Sequence, residues 1–193
     1  MPSIAPVLFP GPRFSVAELR AACLDGELIP FGAGYLPADA PTPPFVRAAA
    51  IAPCIASSYA FVRLTAAWIH GATDELGDRW EVQRAVPWQT TRIVDRRIRY
   101  RDQELPPEDG VVLAGATVST PSRTLADLAR DAVRPDPVAH DAAIRLAADA
   151  SACRGALAWF DAHPRRTHAV AAVAFLRSVG AAGDDRGQDD VTR

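Results

Sequence analysis

The sequence predicts an α+β fold, on three observations. A capping-box pattern at Ser15-Val16-Ala17-Glu18 starts a helix that leads directly into a hairpin pattern. Residues 80–120 break into short β-rich runs, and helical apolar periodicities follow over 121–179. A chain of 193 residues has length for one substantial core or two small ones, but not for two full domains.

Residues 1–12, with four prolines and one glycine, are expected as a flexible arm. In the next helix Ser15 accepts from the backbone while Glu18 reaches back, and Asp25-Gly26 stops it. Residues 27–31 and 35–36 flank Gly32-Ala33-Gly34 as a small hairpin. Segment 13–36 therefore has the order of the second half of a winged helix, although a bare fragment of helix and strand would show the same pattern.

A proline-rich linker is expected at 37–44, and an α+β domain at 45–180. Within that domain 45–52 reads as a short helix. Ser57 or Ser58 caps a second, running to Ile69, with apolar stripes on nearly every side, which predicts a central and buried position. Strands are expected at 80–86, 97–101, 111–113 and 117–119, and helices at 121–131, 136–149, 153–162 and 168–179. The glycine- and aspartate-rich end, 181–193, is expected to be a disordered acidic tail.

Composition excludes several chemistries. All 21 basic residues are arginine, with no lysine and no asparagine. That removes a Walker-A phosphate loop, a Schiff base and a lysine-dependent nuclease centre. A net charge of −2 gives no global nucleic-acid signature, so such binding needs a local patch. Cys23, Cys54 and Cys153 lack metal spacing and fit a reducing cytoplasm. Residues 1–12 lack the pattern of a signal peptide, and no run reads as a membrane span.

One local patch stands out. Residues 84–101 hold six arginines (84, 92, 96, 97, 99, 101) against one acid, Asp95, a balance of +5. Arg97, Arg99 and Arg101 alternate with Ile98 and Tyr100, which on a strand places three guanidinium groups on one face. Such a row can track phosphates, or it can be a solvated face paired with scattered acids. The histidines show no metal spacing. His70 ends the buried helix, where a cation suits the terminus. Acid pairs such as Glu108-Asp109 fall in apparent turns, where solvation explains them. No catalytic centre is visible, and no cofactor or metal is expected.

The run Thr120-Pro121-Ser122-Arg123-Thr124-Leu125-Ala126-Asp127-Leu128-Ala129-Arg130 is a further landmark. Thr120 caps a helix, Pro121 suits its first position, and Arg123 and Asp127 lie one turn apart. A surface pair and a partly buried structural pair are both compatible with the pattern.

Together with Glu18 to Leu28, Gly34-Tyr35-Leu36, Ala66-Ala67-Trp68-Ile69-His70-Gly71 and Ile98-Arg99-Tyr100-Arg101, this run resembles the AbiEi-type antitoxins of actinobacteria. The resemblance, in order over roughly 15–135, implies the antitoxin half of a type IV toxin–antitoxin system, a class tied to phage defence. It implies a DNA-binding winged helix, an α+β antitoxicity domain, repression of its own operon, and action against a nucleotidyltransferase-like toxin without a required stable complex. The chain departs from the pattern in lacking the extra leading helices and in having an uncharged wing, Pro30 to Gly34.

Three readings follow. The first is a non-enzymatic cytoplasmic regulator whose DNA-facing surface comprises Arg92, Arg96, Arg97, Arg99 and Arg101 with Arg13 and Arg20; Thr120, Pro121, Arg123 and Asp127 are structural. The second is a protein-interaction module that has lost DNA contact and uses Trp159 and Phe160, since consecutive aromatics are not expected to share one core. The third is a metal-dependent nucleic-acid hydrolase using Asp95, Asp102 and Glu104.

Overall fold

Seven helices and seven strands make up the computed structural model, which describes residues 7–88, 95–131 and 136–188, with the helix course alone over 181–188. Helix α1 (Val16–Leu24) starts from the expected capping box: Glu18 N donates to Ser15 Oγ at 3.2 Å and Ser15 N to Glu18 Oε2 at 2.7 Å. Strands β1 (Leu28–Phe31) and β2 (Gly34–Pro37) form the predicted hairpin.

The arm and the linker both make contacts with the rest of the chain. Leu8 exchanges two backbone hydrogen bonds with Tyr35, each 2.8 Å, so this part of the arm extends the hairpin. Residues 1–6 lie outside the described residues. Beyond the linker, α2 (Pro44–Ile51) carries Arg47, which donates to the carbonyls of Thr42, Trp68 and Thr73 at 3.1, 3.0 and 2.9 Å. One side chain thus fastens the linker to the interior.

The hairpin also shares a core with the domain rather than standing apart from it. Phe31 and Ala33 pack with Trp68, Phe61 and Val82, the Phe31 and Trp68 rings being 5.2 Å apart. Gly32 sits at φ +61°, where a Cβ would meet the Ala50 Cβ at 2.9 Å; only glycine allows this approach.

The segment read as one helix over 57–69 is two elements. Tyr59–Phe61 is strand β3, and α3 runs only from Arg63 to Ile69. A run apolar on all sides suits a buried strand as well as a buried helix, and periodicity does not separate them. The predicted interior position holds, with Thr65 to Ile69 all buried.

β3 is central in a five-stranded mixed sheet of order β5-β4-β3-β7-β6, with β4 (Trp80–Arg84), β5 (Ile98–Glu104), β6 (Gly110–Leu113) and β7 (Ala116–Ser119). β3 pairs parallel to β7 and β4 parallel to β5; the other pairs are antiparallel. Helices α4 (Pro121–Asp131), α5 (Pro137–Ala147), α6 (Ala150–Ala162) and α7 (Ala169–Gln188) build a second cluster around Leu125, Leu128, Phe160 and Leu176. α4 is its hub, touching α3, α5, α6 and α7. α7 continues as helix to Gln188, into the segment expected to lose order from 181.

Candidate functional site

Two groups of arginines flank the central elements, one dry and one open. The dry group belongs to the Thr120–Arg130 run. Thr120 Oγ1 accepts from Arg123 N at 3.2 Å, capping α4 as its sequence predicts. Arg123, only 5% exposed, donates from Nε to Asp127 Oδ2 at 3.0 Å and from Nη1 to Asp109 Oδ2. Trp159 Nε1 donates to the same Asp109 oxygen at 3.1 Å, and the Arg123 guanidinium lies 4.7 Å from the Trp159 ring centre. Arg130, one turn beyond Asp127, donates to Asp127 Oδ1 at 3.3 Å.

The close approach of α6 makes this network possible. Gly155 faces Ser122, whose Oγ would lie 2.2 Å from a Cβ there. With no side chain at 155, α6 reaches the start of α4, and Trp159 one turn on covers Arg123. The Trp159–Phe160 pair is therefore not an exposed face: the two are 8% and 2% exposed and meet edge to face at 5.3 Å. Both rings belong to the helical cluster, contrary to the expectation that consecutive aromatics do not share one core, with Trp159 also facing Arg123, Asp109 and a stacked His163. Asp109, read as a solvated turn acid, is buried as the second acceptor for Arg123.

The open group centres on β5, an edge strand. Ile98 and Tyr100 pack into the sheet cluster, and Arg99 and Arg101 alternate to the opposite face. Arg97 precedes the strand, so the expected row of three reduces to two. It folds back on Asp95, with Nη2 to Oδ2 at 3.0 Å, and lies over the Trp80 ring at 5.3 Å. Arg96 is exposed in the same turn, and Arg92 lies outside the described residues. Arg13 and Arg20 are exposed beside and on α1. The hairpin, against which α1 packs, joins the cluster holding Ile98 and Tyr100.

Glu81 of β4 is the shared counter-ion. Its Oε1 lies 3.2 Å from Arg63 Nε, 3.2 Å from Arg101 Nη2 and 4.0 Å from Arg99 Nη1. Its Oε2 accepts from Leu64 N at 3.3 Å, and its own amide donates to Thr65 Oγ1 at 2.8 Å. Arg63, at φ +54°, also pairs with Asp131 at the end of α4. Burial pulls the Arg63 guanidinium down, and Glu81 is the main influence raising it. Two buried polar atoms here, Gln83 Oε1 and Arg101 Nε, have no hydrogen-bond partner among the described residues.

These side chains line a cavity of about 590 Å³ between the sheet edge and the helices. Its walls carry Arg63, Arg79, Arg99, Arg101 and Arg130, with acids Glu75, Glu81, Asp131 and Asp136 and the apolar residues Leu64, Leu76, Val138 and Ala139. Neither Glu81 nor Arg63 was singled out by the sequence. The signal that could have found Glu81 is a lone acid alternating with Trp80 and Val82, beside an arginine-rich strand.

The acids considered for a metal are dispersed. Asp95 holds Arg97, Asp102 accepts from Arg84 at 3.1 Å and from the Tyr100 hydroxyl at 3.0 Å, and Glu104 is exposed. Among the described residues no group of three or more His, Cys, Asp or Glu could hold a metal ion. At His70, burial lowers the pKa, against a 2.7 Å contact of Nε2 with the Ser119 carbonyl that raises it. No helix among the described residues is long and apolar enough to cross a membrane.

A family model, the AbiEi antitoxin C-terminal domain, matches residues 59–178, from β3 into α7. No curated protein and no solved structure matches the chain.

Proposed function

The chain belongs to the AbiEi antitoxin family, and from that premise we propose that it is the DNA-binding antitoxin of a type IV system, countering a nucleotidyltransferase-like toxin. The antitoxin role comes with the family; the DNA contact and the kind of toxin are our reading. One observation carries the DNA contact: on an edge strand Arg99 and Arg101 have a single carboxylate between them, Glu81, which Arg63 also contacts while holding Asp131 as its second partner. The surplus of cation over anion is what a phosphate backbone neutralises.

In this reading Arg99 and Arg101, with Arg96, Arg97 and Arg92, form the principal contact. Arg13 and Arg20 form a second contact on the hairpin side. Toxin neutralisation runs through the 59–178 domain and needs no stable complex.

Gel-shift titration of the intact protein against the DNA upstream of its own gene, at two salt concentrations, tests the contact. Affinity should fall with salt by about 0.9 in log–log slope per phosphate neutralised, and Arg99→Ala with Arg101→Ala should flatten that slope by about two phosphates' worth. No shift even at low salt overturns the DNA reading. Co-expression with an adjacent nucleotidyltransferase-like frame tests the other half: growth should be restored, and continued arrest would refute it.

A further inference from the structure

The cavity beneath β5 carries features that duplex binding does not use. A duplex is too wide to enter a recess of this size and reaches only its rim. Here five arginines line a recess of about 590 Å³, a volume typical of small-ligand sites. The lining also includes the apolar side chains of Leu64, Leu76, Val138 and Ala139.

The charges in the recess are unequally committed. Asp136 Oδ1 is taken by the amides of Val138 and Ala139 at the start of α5, at 3.1 and 3.2 Å. Asp131 is taken by Arg63. Arg101 has one bond, to Glu81, and Arg79 is exposed with no ion pair among the described residues. Arg79 and the Nη1 of Arg101 are thus open to an incoming anion, in a lining that also holds the exposed Glu75 and the apolar side chains of Leu64, Leu76 and Val138. Arginine forks match phosphate oxygens with paired N–H donors.

We propose that this cavity binds a nucleoside phosphate, with the phosphates on Arg79 and Arg101 and the base against Leu76 and Val138. The proposal does not depend on the DNA contact. Because Arg99 and Arg101 border both, bound nucleotide and duplex compete.

Isothermal titration of the full chain with each of the four ribonucleoside triphosphates tests it, with adenosine and inorganic triphosphate as controls. At least one nucleotide should bind at one site per chain, more tightly than either control. Arg79→Ala and Arg101→Gln should each weaken it by about tenfold, the scale of one lost hydrogen bond to a charged group. Val138→Asp should abolish binding by placing an anion on the wall. Val138 is partly exposed in the first turn of α5, where an acid suits the helix, so this variant should melt like the parent.

Absence of binding by every nucleotide up to about 1 mM overturns the proposal. So does inorganic triphosphate binding as tightly as the nucleotides, or undiminished binding by a folded Val138→Asp protein. If Arg101→Gln fails to fold, Arg79→Ala decides. Gel shifts with and without the bound nucleotide separate the two readings: nucleotide binding without a DNA shift refutes only the DNA contact.

Discussion

Arg123 and Arg99 are the same side chain in opposite circumstances. Arg123 is 5% exposed, with two carboxylates and an indole ring around it. Arg99 has a side chain 60% exposed and one carboxylate at 4.0 Å, which it shares with two other arginines. In a chain whose cations are all arginine, residue type does not separate structure from recognition. The number of acceptors within reach and the access of water do. The Thr120–Arg130 run contains both cases: Arg123 is sealed at its start, and Arg130, at its end, lines the open cavity.

The largest expected effect lies at the sealed end. Arg123→Ala leaves Asp109 and Asp127 buried without their main cation, a loss of about 3–5 kcal/mol. Thermal or urea unfolding should show it, with the DNA affinity of the remaining folded protein unchanged. A variant that melts like the parent yet fails to bind DNA or to neutralise a toxin would reverse the comparison and make Arg123 functional.

A smaller, pH-dependent effect is expected at the half-buried His70. Its folded pKa is lowered by burial, so the unfolded chain takes up the proton first as pH falls. Its contribution is present above the ordinary histidine value of about 6.5 and is lost as pH drops through the lowered folded pKa. His70→Gln should therefore melt with a shallower dependence than the parent between about pH 7.5 and pH 5.5. Identical slopes would mean that the imidazole titrates as it does in water.

The smallest effect on stability is expected at the open end. Arg99→Ala should change unfolding free energy by no more than about 1 kcal/mol, because an exposed partner at this distance contributes little. A loss as large as that of Arg123→Ala would show that the Glu81 cluster is structural and would weaken its reading as a contact surface.

Much of the architecture was legible because it is local. The capping box at Ser15, the hairpin around Gly32-Ala33-Gly34 and the Thr120-Pro121 start of α4 each depend on residues within one turn of each other. The alternation of Ile98 and Tyr100 with Arg99 and Arg101 was legible for the same reason. The segment 57–69 was not, since a short run buried on every side satisfies strand and helix alike until β4 and β7 pair with it. Trp159 was read as a possible contact residue because nothing in its neighbourhood names Arg123 or Asp109, which lie 36 and 50 positions earlier in the chain.

By itself the sequence determined the α+β class, most helix and strand positions, the caps, and an arginine surplus near β5, all consequences of spacing and backbone preference over a few residues. Tertiary structure alone decided which arginines are sealed and which are open. That choice depends on Glu81, Asp109 and Asp131 being brought in from distant positions, and on Gly155 letting α6 close over the start of α4. Charge is written residue by residue; burial and pairing exist only once the chain has packed.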